Sequence, residues 1–155
     1  MINRELINPQ SIVVVGGSNN VHKPGGRLVR NLLDGKYKGE LYVVNAKEDD
    51  VQGLKSYHSV HDIPETELAI ISIPGPACPE AVDVLAKQKN VKAFIVISAG
   101  FGEETHEGAI LEEQMLKSIN EAGASLIGPN CIGLMNMHYH GVFTPVSYTH
   151  LTLPT

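Results

Sequence analysis

An apolar run early in the sequence, Ser11-Ile12-Val13-Val14-Val15, stops at Gly16-Gly17-Ser18-Asn19-Asn20. A polar loop carrying Lys23 follows, and a second glycine pair, Gly25-Gly26, opens a stretch with helical spacing. This is how an α/β protein builds a place for phosphates. Glycine lets the backbone approach a phosphate oxygen closely, and the free N–H groups of a helix N-terminus attract anions. Lys23 adds a full positive charge. The bland alternative is a plain strand-to-helix turn that binds nothing, because glycine-rich turns alone are weak signals.

Four further apolar runs end in residues of the same character. After Leu41–Val44 come Asn45, Ala46 and Lys47. A dinucleotide site for NAD usually has an acid here to bond the ribose hydroxyls. A lysine suits a ligand with an extra phosphate near the ribose, as NADP and coenzyme A both have. The alternative is a solvated loop lysine, and taken alone that alternative is favoured. Glu48, Asp49 and Asp50 fall too late in the loop to serve as the ribose acid. The third run ends in Ile73-Pro74-Gly75-Pro76, where proline forces an extended turn. The fourth ends in Ile97-Ser98-Ala99-Gly100, with small side chains and open backbone. The fifth ends in Gly128-Pro129-Asn130, a turn signal, with Cys131 next. Five such ends on one rim point to an extended ligand held through backbone contacts.

The elements that must position these residues follow from the pattern. The runs 11–16, 41–45, 68–74 and 92–98, and the weaker 124–128, are continuously apolar rather than alternating. Strands that read this way are buried on both faces, as in a parallel sheet. Between them, Leu28 and Leu32, and Val29 and Leu33, share helical faces, with Gly35 as a stop. A helix over about 78–89 stacks Ala81 under Leu85. Another over about 105–122 lines up Leu111, Met115, Ile119 and Ala122. Alternating strand and helix predict an α/β fold with a doubly wound, mostly parallel, Rossmann-like sheet. The segment 47–67 is the least regular and is expected to cross a sheet edge with little helix of its own.

Bulk properties narrow the classes. The 155 residues suit one domain, and 43% hydrophobic content is enough for a core. A net charge of −5 gives no global pull toward nucleic acid or an anionic membrane, so any anion site is local. No apolar run approaches the roughly 20 residues that span a bilayer. Two cysteines, Cys78 and Cys131, are too few for a disulfide framework, and a cytoplasmic setting is the simpler reading. His138 and His140 alternate as a metal-binding pair could, but no third ligand is evident, and surface-facing strand histidines are the commoner case. Cys131 shows no electropositive neighbourhood in the sequence, and Ser18 has no His–Asp pair at recognisable spacing. No residue is therefore assigned as catalytic and none as a metal ligand. The last ten residues, VSYTHLTLPT, resemble translated adapter sequence. They are expected to be a non-native tail after a domain at 1–145, with the chain the first piece of a longer protein.

Together, LINPQSIVVVGGS, LYVVNAK, YHSVHDIPE, IISIPGPA, VISAGFGE and IGPNCIGLMN resemble the CoA-binding domain that begins the NDP-forming acyl-CoA synthetases. That family includes ADP-forming acetate–CoA ligase and the α subunit of succinyl-CoA synthetase. IGPNC closely followed by GLMN is the most specific block. The resemblance implies that Gly17, Ser18, Asn19 and Asn20, in the loop that begins at Gly16 and runs past Lys23 to Gly25, contact the diphosphate of coenzyme A. It implies that Lys47 contacts the ADP portion and its ribose phosphate, and that Ile73 and Pro74 flank adenine or pantetheine. Ile97, Ser98 and Ala99 would line the pantetheine arm, and Asn130 and Cys131 would sit near the thiol. Ala46 departs from the family's proline at an NPK turn. The longer first loop, with Val21, His22, Lys23 and Pro24, is nearer the ADP-forming acetate enzymes.

The same resemblance implies a relay through a phosphohistidine in a second domain and a nucleotide site for ATP or ADP with Mg in a third. Neither domain is in these residues. Partners would be coenzyme A and the remaining ligase domains or subunits, in an oligomer when full-length. A stand-alone CoA-binding regulatory module is the first alternative. An NAD(P)-binding Rossmann domain is the second, disfavoured by the missing acid after the second apolar run.

Overall fold

The computed structural model describes residues 2–102 and 105–146. The expected non-native tail lies outside the described residues except for Val146, as does His150. The elements in order are α1 (Arg4–Ile7), β1 (Ser11–Val15), α2 (Pro24–Asp34), β2 (Glu40–Val44), β3 (Asp50–Val51), β4 (Leu54–Tyr57), β5 (Leu68–Ile71), α3 (Cys78–Gln88), β6 (Ala93–Val96), α4 (His106–Glu121), β7 (Ser125–Ile127), β8 (Gly133–Met135) and β9 (His140–Val142).

One sheet runs β3-β4-β2-β1-β5-β6-β7, and β8 and β9 form a separate hairpin. Every pairing in the large sheet is parallel except β3 with β4. Parallel strands need both faces covered, and two apolar layers do this. Val13, Val15, Ala69, Ile71, Phe94 and Val96 face Val82 and Leu85 of α3 and Met115 and Ile119 of α4. The alternate positions Ile12, Val14, Ile70 and Ile95 face Leu28, Val29 and Leu32 of α2. Because each strand buries both sets, the runs read as continuous rather than alternating.

The five long runs and three helices stand where the sequence places them. Thr105 is the N-cap of α4, its side chain accepting from the Gly108 N–H at 2.9 Å. Gly35 closes α2 by donating to the Asn31 carbonyl at 2.9 Å, but the left-handed residue of the stop is Lys36, φ 56°.

The segment 47–67 lies at the sheet edge with little helix, as expected, but is more regular than its sequence suggests. It builds the sheet edge, with the β3–β4 hairpin and a 3₁₀ turn at Val60–Asp62. Two other elements carry no strong periodic signal. Helix α1 is a single turn, capped by Asn3. The β8–β9 hairpin joins the α2 layer, where Tyr139 is buried and its hydroxyl donates to the Leu6 carbonyl at 2.6 Å. Asn31, buried on α2, anchors the end of this hairpin. Its Nδ2 donates to the carbonyls of Val142 and Thr144, both at 2.8 Å. No helix among the described residues is long and apolar enough to cross a membrane.

Candidate ligand-binding site

The carboxyl ends of β1, β2 and β5 meet where the strand order reverses, the place at which open α/β sheets receive ligands. Gly16 leaves β1 with φ 93°, and a Cβ there would lie 2.2 Å from the Ser72 carbonyl oxygen, so only glycine turns here. Its N–H donates to the Val44 carbonyl at 2.9 Å. The loop beyond is shaped by its own side chains. The Ser18 hydroxyl accepts from the Asn20 N–H at 3.0 Å, and Asn20 Oδ1 accepts from the His22 N–H at 2.9 Å.

Lys23 then occupies the N-cap of α2, with no side chain capping the helix. Pro24 has no N–H, so Gly25 and Gly26 supply the first backbone donors. Gly25 packs so closely on the loop that a Cβ would sit 1.9 Å from the Gly16 oxygen. Helix and loop form one surface.

Asn45 joins the end of β2 to this loop. Its Nδ2 donates to the Gly17 carbonyl at 2.8 Å, and its Oδ1 accepts from the N–H groups of Lys47 and Glu48 at 2.8 and 3.0 Å. These bonds fix the turn at Ala46 without a proline ring. Lys47 is exposed and lines a cleft of about 350 Å³ with Gly16, Asn45, Ile73, His58 and Ala81. Asp49, further along, pairs with His58 Nε2 at 2.8 Å.

The remaining ends are tied in turn. The Ser98 hydroxyl accepts from the Ile73 N–H at 3.1 Å and donates back to the Ile73 carbonyl. The Asn130 N–H donates to the Ser98 carbonyl at 3.0 Å. Pro74, Ala99 and Asn130 are exposed, and Ile73 and Ser98 half-buried. Ile97 differs from the role expected of it. Its side chain is 7% exposed and packs in the core, and its N–H donates to the Ile71 carbonyl, so only its carbonyl is left for the rim. Cys131 is half-buried, with Sγ 3.4 Å from the Val96 carbonyl, and burial pushes its thiol up. Burial raises Cys78 likewise. Neither thiol is poised as a nucleophile.

The sequence reading missed Gln52. From the β3–β4 turn its Nε2 donates to the carbonyls of Ser18 and Gly26, both at 2.9 Å. Asn19 meets the same hairpin. Its Nδ2 donates to the Asp50 carbonyl at 2.9 Å, and its Oδ1 accepts from the Gln52 N–H at 2.7 Å. The Asn19 side chain is therefore turned onto the hairpin. These bonds join residues 26 to 34 positions apart, and no local pattern announces them.

The rim thus offers backbone donors, the N-terminus of α2, Lys23 and Lys47, in a form suited to holding an anion with an extended body. The opposite rim is unsuited to that. Its hollow of about 530 Å³ is lined by Glu5, Glu40, Glu65 and Glu67, with Lys92. Among the described residues no group of three or more His, Cys, Asp or Glu side chains could hold a metal ion.

Comparison with known proteins gives the rim a context. Residues 10–137 match the CoA binding domain family. The chain is 40% identical over 135 residues to the ADP-forming acetate–CoA ligase II subunit alpha of Pyrococcus furiosus, covering 86% of this chain and 29% of that one. It is 39% identical over 134 residues to the ADP-forming acetate–CoA ligase II of Archaeoglobus fulgidus, covering 86% and 20%. Among solved structures, the dinucleotide-forming acetyl-coenzyme A synthetase 1 of Ca. Korarchaeum cryptofilum superposes with TM-score 0.84 at 34% identity, covering 92% of this chain and 31% of that one. The chain thus spans less than a third of each.

Proposed function

The chain belongs to the CoA binding domain family, and on that premise we propose that it binds coenzyme A along the carboxyl rim of its sheet, for an ADP-forming acyl-CoA ligase. The loop 16–20 and the N-terminus of α2 take the diphosphate, Lys47 takes the phosphate on the ribose, and the line Ile73–Ser98–Asn130 carries the pantetheine arm toward Cys131. The observation that carries this reading is Lys47 itself. It stands in the cleft with Gly16 and Ile73, its backbone held by Asn45, where an NAD site has an acid.

This domain holds the thiol substrate and does no chemistry of its own. Coenzyme A brings its own thiol, so the raised thiol of Cys131 fits a packing role. In the whole ligase, a phosphohistidine relay and an ATP or ADP site with Mg belong to residues outside this chain.

Isothermal titration tests the reading. Coenzyme A should bind more tightly than dephospho-CoA, and Lys47→Ala should erase that difference, by roughly five- to tenfold for one exposed charge pair. Equal binding of both ligands by the unaltered chain removes Lys47 from the role. A larger thermal shift with NADH or NADPH than with coenzyme A replaces the ligand altogether.

A further inference from the structure

We propose that Gln52 is a positioning residue, which holds the loop 17–20 and the start of α2 in the shape that receives the diphosphate. The inference rests on the coenzyme A reading above. Gln52 and Gly53 form the two-residue turn between Val51 and Leu54, with φ 53° and 90°. Both central residues of such a turn lie in the left-handed region, and Asn-Gly or Asp-Gly is the favoured pair. Glutamine is a poor local choice. What it adds over asparagine is one methylene of reach, and that reach lets Nε2 donate to Ser18 and Gly26 together. Its Oε1 is buried with no partner among the described residues. A buried carbonyl without a donor costs stability. Backbone conformation and burial both work against Gln52, and the only gain is a brace between loop and helix.

The brace acts at the right place. Ser18 and Gly26 flank the polar loop, and Asn19 between them is clamped on the same hairpin. Tying both ends holds the loop and the start of α2 in one shape before any ligand arrives, which lowers the ordering cost of binding.

Gln52→Asn separates position from stability. Asparagine suits the turn better but is too short to reach both carbonyls. The better turn offsets the two lost side-chain bonds, so the variant should melt near the unaltered chain's temperature while binding coenzyme A and dephospho-CoA both about tenfold more weakly. The ratio of the two affinities, which Lys47 sets, should stay unchanged. Hydrogen exchange without ligand should quicken at the amides of residues 18–26. Unchanged affinity for both ligands, or unchanged exchange at those amides, overturns the proposal. If the unaltered chain binds neither ligand, the coenzyme A reading falls, and the exchange result alone still decides the brace. Asn19→Ser, which releases the other arm of the clamp, carries the same expectations should Gln52→Asn lose its cooperative melt.

Discussion

Replacing Gly25 by alanine sets two effects of opposite sign against each other. Gly25 is the second residue of α2 and is buried. Alanine improves helix propensity by about 1 kcal/mol, and on an open helix face the change would stabilise. Here the new Cβ falls 1.9 Å from the Gly16 oxygen, 2.9 Å from its carbonyl carbon and 3.4 Å from Gly17 Cα. The neighbour is backbone, which has no rotamer to yield. Gly16 itself is held by its bond to Val44 and by Ser72 close beneath it. The helix must back away from the loop by more than an ångström. Forced packing of this kind costs about 1–3 kcal/mol, and a contact this short with backbone puts the cost at the upper end, so the net effect is destabilising by up to about 2 kcal/mol. Without tryptophan, far-UV circular dichroism in urea is the suitable readout. The midpoint should fall, and titration should show weakened binding of coenzyme A beyond the loss of folded protein. An alanine variant as stable as the unaltered chain, with unchanged affinity, would refute the claim that helix and loop form one tightly packed surface.

Asn31→Leu should destabilise the fold by about 1–3 kcal/mol in urea titration, because two carbonyls at the end of the β8–β9 hairpin lose their donor. Arg4 donates to both carboxylate oxygens of Glu67, at 3.1 and 2.7 Å, and holds that carboxyl below its usual range. A depressed carboxyl contributes stability above its unfolded pKa, about 4.3, and loses it as pH falls through the folded value. Glu67→Gln should therefore lower the melting temperature slightly at pH 7, and the gap should close in acid; a gap that persists at pH 2 contradicts the assignment. Both raised thiols should react with iodoacetamide at pH 7 more slowly than a free cysteine peptide.

What was legible in the sequence divides by the range of the interaction. Continuous apolar runs and i,i+4 faces are local signals, and β1, β2, β5, β6 and β7 with their three helices follow from them. The β3–β4 hairpin escapes because its strands are two and four residues long and its turn pair is Gln-Gly rather than Asn-Gly. The β8–β9 strands, three residues each, are too short for a period to register. At the rim, types and spacing single out glycines, lysines, serines and asparagines, but not how those side chains are used. Asn19 reads as a ligand contact and is turned onto the hairpin. Ile97 reads as a wall and is buried. Asn45 reads as a missing acid and proves to be the residue that sets the turn carrying Lys47. The first two outcomes depend on partners brought in by the fold, whereas the Asn45 turn is made with its own neighbours.

The charge of −5 is at odds with an anionic ligand until the charges are placed. The glutamates Glu5, Glu40, Glu65 and Glu67 gather at the amino rim, while Lys23 and Lys47 stand at the carboxyl rim. A five-residue strand such as β1 separates the two rims by about 17 Å. The screening length at physiological salt is about 8 Å, so the acidic end barely reduces the potential at the basic one. A parallel sheet aligns its strand ends, and alignment is what gathers the glutamate-lined hollow at one end and Lys23 and Lys47 at the other. An anion meets four glutamates beside Lys92 at the amino rim and backbone donors with lysines at the other, which favours the carboxyl rim. Net charge therefore excludes nonspecific attraction to polyanions without excluding a site for one.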